Sequence, residues 1–307
     1  GSEHLVKVAI ASSSLLAIPT LQSIQTTHEI VTAISMPDAP QGRGRQVAPN
    51  PFAQRMTEIG FETAKPNNQQ ELEEVLASSA AELVVTVAYG RLIKLKALQI
   101  PRHGWLNLHF SLLPKYRGAA PVQHAILHGE TETGVTVFSL DEGMDTGPIY
   151  ESASISLRGD ETAGNVLTHL SHKGADLVMR AIEKIERGIQ PIPQIDSEAS
   201  LAPKITKENA KINWGSGVDH IDRLVRAMNP EPGAWTTFRG ERFHISQARK
   251  SGTKVGGIGE ISISQEIAVS TIDGSLILEE VKPAGKKTMS AKDWVRGARF
   301  QPGESFL

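Results

Sequence analysis

Residues 82–90 read Glu-Leu-Val-Val-Thr-Val-Ala-Tyr-Gly. Leu83 to Ala88 is a continuous, valine-rich apolar run closed by Tyr89-Gly90. Such a run predicts a strand buried on both faces, as in parallel sheets covered by helices. Outward from it, Val6 to Ile10 and Ile30 to Ser35 carry a similar signature on the N-terminal side. Trp105 to His109 and Gly134 to Leu140 extend the series on the C-terminal side. Between these runs, residues 51–60 and 69–79 space their apolar positions for helices. A long helix is predicted over 161–187, with Thr162, Leu167, Leu170, Leu177, Ala181 and Ile185 along one face. Gly188, Pro191 and Pro193 mark its end. Strands alternating with helices predict an α/β fold, with an open, mostly parallel sheet, over residues 3–189.

The character changes over 190–209. Two prolines are followed by Asp196-Ser-Glu-Ala-Ser-Leu-Ala-Pro-Lys-Ile-Thr-Lys-Glu-Asn-Ala-Lys211, a polar stretch that reads as a linker. Beyond it, Val218 to Ala227 is helical in pattern. Short β-like runs follow at 234–238, 242–246, 259–264, 267–271 and 276–281. Their number and spacing predict a smaller C-terminal β-barrel of the oligonucleotide-binding (OB-like) type over 210–307.

The bulk properties exclude several classes. A chain of 307 residues is long enough for two domains. With no cysteine there is neither a disulfide framework nor a thiolate metal site, which fits a reducing cytoplasm. No run of about 18 apolar residues predicts a membrane span, and the N-terminus carries no export signal. Gly1 and Ser2 stand where a start methionine is expected and read as an expression scar. Net charge is −2, which argues against non-specific polyanion binding by the whole molecule. Residues 208–307, however, are mildly basic, with 14 Lys and Arg against 12 Asp and Glu. Nothing in the sequence demands a dimer or an obligate protein partner.

Chemistry concentrates in Asn107-Leu-His-Phe-Ser-Leu-Leu-Pro-Lys-Tyr-Arg-Gly118. Asn107 and His109 are two apart at the end of an apolar strand, and so share a face. Polar groups just past the carboxyl end of a parallel strand lie where open α/β sheets bind ligands. Downstream, Asp141-Glu-Gly-Met-Asp145-Thr-Gly-Pro148 leaves the strand at 134–140 and can return Asp145 towards His109. Taken singly, each of the three has an ordinary structural reading as a turn former or a satisfied core residue. Together they suit attack of an amine on a formyl carbon. The Asn107 amide, and His109 as a protonated ring or through Nε2–H, are donors for the developing oxyanion. Asp145 can orient His109 and manage the proton that the amine sheds. No covalent intermediate is needed, in keeping with the absence of a G-x-S-x-G elbow. His103, His109, His124 and His128 lack the spacing of a known metal site, so none is expected.

The pattern Asn-x-His-x-Ser-Leu-Leu-Pro-x-x-Arg-Gly, then Asp-x-Gly-x-Asp-Thr-Gly, resembles the folate-dependent formyltransferase family. The resemblance implies that Asn107, His109 and Asp145 are the catalytic trio. It implies 10-formyltetrahydrofolate as co-substrate, contacted by Ser111, Leu112, Leu113 and Pro114, with Ala88, Tyr89 and Gly90 in the wall of the pterin pocket. Pro203 to Trp214, Arg223 to Phe238 and Pro283 to Ala291 are similar to segments of the branch that formylates methionine on initiator tRNA. The trio alone is equally compatible with a formyltransferase acting on a sugar nucleotide or other small amine. In the tRNA branch a Gly-Arg-Gly loop enters the acceptor stem; Gly42-Arg43-Gly44-Arg45 corresponds to it. Arg43 and Arg45 are therefore expected to contact tRNA, with Lys204 and Lys207 as further phosphate contacts. One departure stands out: the branch carries a glycine-containing turn after its first strand, whereas residues 11–19 read Ala-Ser-Ser-Ser-Leu-Leu-Ala-Ile-Pro. The same stretch lacks a Gly-rich dinucleotide fingerprint, so no nicotinamide or flavin is expected.

Overall fold

The computed structural model describes residues 5–41 and 46–307. Its strands are β1 (Lys7–Ser12), β2 (Glu29–Ile34), β3 (Ala39–Gln41), β4 (Gln46–Ala48), β5 (Thr63–Ala64), β6 (Leu83–Val87), β7 (Trp105–His109), β8 (Glu132–Ser139) and β9 (Ile149–Ser156). Later in the chain come β10 (Ala234–Phe238), β11 (Glu241–Ser251), β12 (Ile261–Ile263), β13 (Ile267–Ser270), β14 (Ser275–Lys282) and β15 (Met289–Ser290). The helices are α1 (Ile18–Gln25), α2 (Pro51–Glu58), α3 (Gln69–Ser79), α4 (Leu95–Gln99), α5 (Pro121–Leu127), α6 (Ala163–Glu186), α7 (Val218–Ala227) and α8 (Ala291–Ala298).

The chain divides into two compact units. One holds Gly1–Gly118, Glu132–Ile155 and Leu167–Ala202; the other holds Ala119–Thr131, Ser156–Val166 and Pro203–Leu307. Residues 119–131 and 156–166, expected within the 3–189 segment, thus group with the C-terminal part.

The first unit is built on a seven-stranded sheet in the order β5-β2-β1-β6-β7-β8-β9. Strands β5 to β7 in that order are parallel, and β8 runs antiparallel to β7. Every residue of β6 is buried, which is why its sequence is a continuous apolar run rather than an alternation. Trp105, 1% exposed, joins Leu72 and Leu76 of α3 and Ala97 of α4 in one core cluster. Its indole N–H donates to the Ala97 carbonyl at 3.0 Å. Helix starts follow local chemistry. The Asn50 and Asn68 side chains accept from Ala53 N–H and Glu71 N–H, both at 2.9 Å, and so cap α2 and α3. Asn68→Ala is expected to lower stability by about 1 kcal/mol; a urea midpoint indistinguishable from that of the parent chain would contradict the capping role.

Several elements differ from expectation. The 149–156 stretch, Ile-Tyr-Glu-Ser-Ala-Ser-Ile-Ser, is a strand that alternates between half-buried and exposed from Glu151 onward. Strands β3 and β4, which the sequence did not signal, pair antiparallel with each other. Part of the 190–209 stretch read as a linker is tied down: Ile192 and Ile149 exchange backbone hydrogen bonds of 2.8 and 2.7 Å, and Arg117 bonds the backbone of Ser200 and Ala202 at 2.9 and 2.7 Å.

The second unit carries an antiparallel sheet in the order β10-β11-β14-β13-β12, with β15 added on β14. Both edges of it are bonded by the same short segment. Glu304 O and Phe306 N–H bond Ile261 N–H and Gly259 O beside β12, while Leu307 exchanges bonds with Thr237 of β10. This closure is compatible with the expected barrel. Inside, Phe243 and Trp294 lie 4.5 Å apart between ring centroids, and Phe306 stacks on Trp214 at 5.7 Å. No helix among the described residues is long and apolar enough to cross a membrane.

Candidate active site

In the first unit, β2 lies on one side of β1 and β6 on the other. Open parallel sheets bind ligands beyond the carboxyl ends of the strands at such a reversal. There the turn after β6 meets the turn after β1. Ser13 donates its N–H to the Ala88 carbonyl at 2.9 Å and its hydroxyl to the Tyr89 carbonyl at 3.1 Å. Ala88 and Gly90 are exposed in left-handed backbone, at φ 50° and 89°, while Tyr89 is buried. Burial pushes the Tyr89 phenol above its ordinary value, against the charge of Arg91.

The turn after β1 manages without the glycine of the tRNA branch. Ser14 N–H donates to the Ser12 hydroxyl at 3.0 Å, and Leu16 N–H to the Ser14 hydroxyl at 3.1 Å. None of Ser12, Ser13 and Ser14 has a positive φ, so no position in the turn requires glycine.

Strand β7 alternates Trp105, Asn107 and His109 on one face with Leu106 and Leu108 on the other. Leu108 packs on α6, where a Cβ on Gly174 would come within 2.6 Å of it. Asn107 Nδ2 donates to Thr86 Oγ1 on β6 at 2.7 Å, and that hydroxyl in turn donates to the Leu106 carbonyl at 3.2 Å. The hydroxyl hydrogen being committed, the amide must present its NH₂ to Thr86, which leaves a second N–H on Nδ2.

His109 is 7% exposed. Its Nε2 lies 2.9 Å from the Tyr116 carbonyl. A carbonyl only accepts, so Nε2 carries a hydrogen. The other nitrogen, Nδ1, faces Asp145 Oδ2 at 3.7 Å. That same oxygen accepts the Gly118 N–H at 2.8 Å. A side chain on Gly118 would meet the Ala202 carbonyl oxygen, 2.5 Å from an added Cβ.

Asp145 itself adopts left-handed backbone at φ 57°, a conformation that stores roughly 1–3 kcal/mol of strain in a residue other than glycine. Its loop is pinned from within: Asp141 Oδ1 accepts from Gly143 N–H at 3.0 Å and from the Thr146 hydroxyl at 2.6 Å. Gly147 passes so close to β8 that an added Cβ would lie 1.7 Å from the Ser139 carbonyl oxygen.

Past His109, Thr136 staples the 111–114 stretch by donating to the Ser111 carbonyl at 2.7 Å and accepting from Leu113 N–H at 3.2 Å. Ser111 and Leu113 are buried; Leu112 and Pro114 are half-buried beside them. The Leu113–Pro114 peptide is cis.

Arg43 and Arg45 lie outside the described residues. In the second unit, exposed Lys204 and Lys207 line one open groove with Ala120, Gln123, Glu231 and Pro232. Trp235 bears the Arg242 guanidinium 4.1 Å from its ring centroid and the Lys211 ammonium at 5.4 Å. Burial holds His244 below the ordinary imidazole value, helped by the charges of Lys282, Arg242 and Lys207. Among the described residues, no three His, Asp or Glu side chains are grouped to hold a metal ion.

Residues 6–182 match the formyl transferase family and residues 204–299 its C-terminal domain. The chain belongs to the formyl transferase family. This formyl transferase is 43% identical over 323 residues to the methionyl-tRNA formyltransferase of Acidothermus cellulolyticus, covering 98% of this chain and 100% of that one. It is 39% identical over 307 residues to that of Thermobifida fusca, covering 98% and 99%. Among solved structures it is similar to HypX from Aquifex aeolicus, with a TM-score of 0.72 at 17% identity, over 96% of this chain and 48% of that one. The formyl transferase thus spans about half the length of HypX. An N-formyltransferase from Helicobacter canadensis, solved with folinic acid and dTDP-3-aminofucose, gives a TM-score of 0.65 at 20% identity, over 89% and 99%. At these identities the structural likeness shows the fold alone.

The formyl transferase brings His109 and Asp145 together and places Asn107 on the same strand face. Sequence reading missed Thr86, the backbone of Tyr116 and Gly118, and Gln194, whose amide donates to the Asp145 carbonyl at 2.9 Å. A lone threonine inside the apolar β6 run was a signal for the first. Gln194, flanked by ordinary polar and apolar residues, carried none.

Proposed function

We propose that this chain transfers the formyl group of 10-formyltetrahydrofolate to the amino group of methionyl-initiator-tRNA in the cytoplasm, with Asn107, His109 and Asp145 as its catalytic set. The approach of His109 Nδ1 to Asp145 Oδ2, 3.7 Å, carries the reading. Support for the acceptor comes from the 43% identity to a methionyl-tRNA formyltransferase over nearly the whole chain. Residues 3–189 carry the chemistry, and residues 210–307 grip the tRNA, with 190–209 between them.

The amine nitrogen attacks the formyl carbon, and the carbonyl electron pair moves onto oxygen. The second amide hydrogen of Asn107 donates to that oxyanion, an interaction worth roughly 3–4 kcal/mol where the donor is preorganised. Because the Tyr116 carbonyl holds Nε2–H, the hydrogen that His109 contributes is the one on Nδ1 of the protonated ring, whose charge Asp145 balances. Asp145, directly or through a water, takes the proton that the attacking nitrogen sheds. Collapse of the tetrahedral centre breaks the bond to the folate nitrogen, which accepts a proton from His109 and leaves. The proton on Asp145 then restores His109. Ala88, Tyr89 and Gly90, with Ser111, Leu112, Leu113 and Pro114, wall the folate pocket.

The deciding experiment is tetrahydrofolate release with charged initiator tRNA and, separately, with an amino-sugar nucleotide. Turnover confined to the sugar would replace this reading with the small-amine one. Arg43, Arg45, Lys204 and Lys207 bind tRNA phosphates in this proposal. Removing Lys204 or Lys207 is expected to raise KM for charged tRNA and to reduce the slope of log KM against log salt by about 1 per lysine. An unchanged salt slope would take those two lysines out of the interface.

A further inference from the structure

We propose that Gln194 is a positioning residue that sets the geometry of Asp145 against His109. The inference rests on the reading of Asp145 as the proton-handling carboxylate. Gln194 Nε2 donates to the carbonyls of Asp145 and Gly147, at 2.9 and 2.7 Å. Its Oε1 accepts from Nε and Nη2 of Arg117, at 3.2 and 2.8 Å. A guanidinium only donates, so the amide oxygen must face Arg117 and the NH₂ must face the loop. Turning the amide over would set oxygen against two carbonyls and NH₂ against a guanidinium. Arg117 is 9% exposed, and its Nη2 also donates to Asp196 Oδ1 at 2.8 Å.

Two ties on Asp145 therefore converge on one dipeptide. Gly118 N–H holds the carboxylate directly. Arg117, through Gln194, holds the carbonyl of the same residue, whose φ of 57° other residues than glycine rarely keep unaided. The strap that carries Gln194 also fixes the Tyr116–Gly118 loop. Tyr116 N–H donates to Ser200 Oγ and Arg117 N–H to the Ser200 carbonyl, both at 2.9 Å, and Ala202 N–H donates to the Arg117 carbonyl at 2.7 Å. That loop supplies the carbonyl that orients His109. A stretch with the composition of a linker thus holds both members of the His109–Asp145 pair.

The test is a double-mutant cycle in the full chain. Formyl transfer to charged initiator tRNA is measured for Gln194→Ala, Asp145→Ala and the double variant. Gln194→Ala is expected to lower kcat about 10- to 100-fold, the effect of displacing a catalytic group by about 1 Å, with both KM values held within about threefold. In the Asp145→Ala background the same change should have almost no further effect, because the group it positions is gone. Gln194→Glu is the same size and keeps an oxygen on Arg117 but turns its other oxygen towards two carbonyls. It guards against a folding defect, and it too should lower kcat. Normal kcat in both Gln194 variants, a change confined to KM, or losses that multiply in the double variant would overturn the positioning role. Should Asp145→Ala itself turn over normally, the underlying reading of Asp145 fails first, and the role of Gln194 falls with it.

Discussion

Asp145→Asn is expected to lower kcat for formyl transfer by about 10²- to 10⁴-fold while leaving KM for folate and tRNA nearly unchanged. The substitution isolates charge from shape. Asparagine has the same size, tolerates the left-handed backbone that residue 145 adopts at φ 57°, and offers an oxygen to the Gly118 N–H that Asp145 Oδ2 accepts at 2.8 Å. The backbone ties from Gln194 are untouched. What disappears is the negative charge 3.7 Å from His109 Nδ1, and with it the acceptor for the amine proton. Steady-state kinetics with charged tRNA settle the matter: turnover within a fewfold of normal would reduce Asp145 to a loop residue.

Trp105→Ala carries the largest expected effect on stability, a loss of roughly 3–5 kcal/mol. The indole is 1% exposed within the cluster formed by Leu72, Leu76, Tyr89, Ile93 and Ala97. Truncation leaves a cavity between β7 and the helices over it, and it strips the Ala97 carbonyl of its 3.0 Å donor. Trp105 shares its strand face with Asn107 and His109, so activity should fall at temperatures where the parent chain is fully active. A urea unfolding curve displaced by less than about 1 kcal/mol would mean that the helices collapse onto the vacated space.

The parts of the fold legible in the sequence were those with a local cause. The β7 boundaries follow an apolar run that ends in polar groups, and α3 and α7 follow their apolar spacing. Strand β9 escaped because small polar residues blur its alternation. Helices α1, α5 and α8 are short, and tertiary packing decides them more than propensity does. The site divides the same way. Asn107 and His109 are two apart on one strand, and Asp145 lies in a compact loop whose motif is contiguous. Gln194, by contrast, reaches a carbonyl 49 residues earlier, and Arg117 reaches Gln194 across 77. Partners so distant are chosen by the path of the chain, and no spacing rule records them. The three-serine turn shows the converse. The glycine-free stretch stood out as a departure in the sequence, and hydroxyl bonds keep that turn in backbone open to any residue.

The short segment at 304–307, which bonds β12 on one side and β10 on the other, also bears on the order in which the protein is made. Synthesis runs from the N-terminus, and domains tend to fold as they emerge. Strands β10 and β12 leave the ribosome well before residues 304–307 do, so for that interval both keep bare backbone donors and acceptors open to other nascent chains. The barrel-like unit therefore joins these two sheet edges only once this segment has emerged.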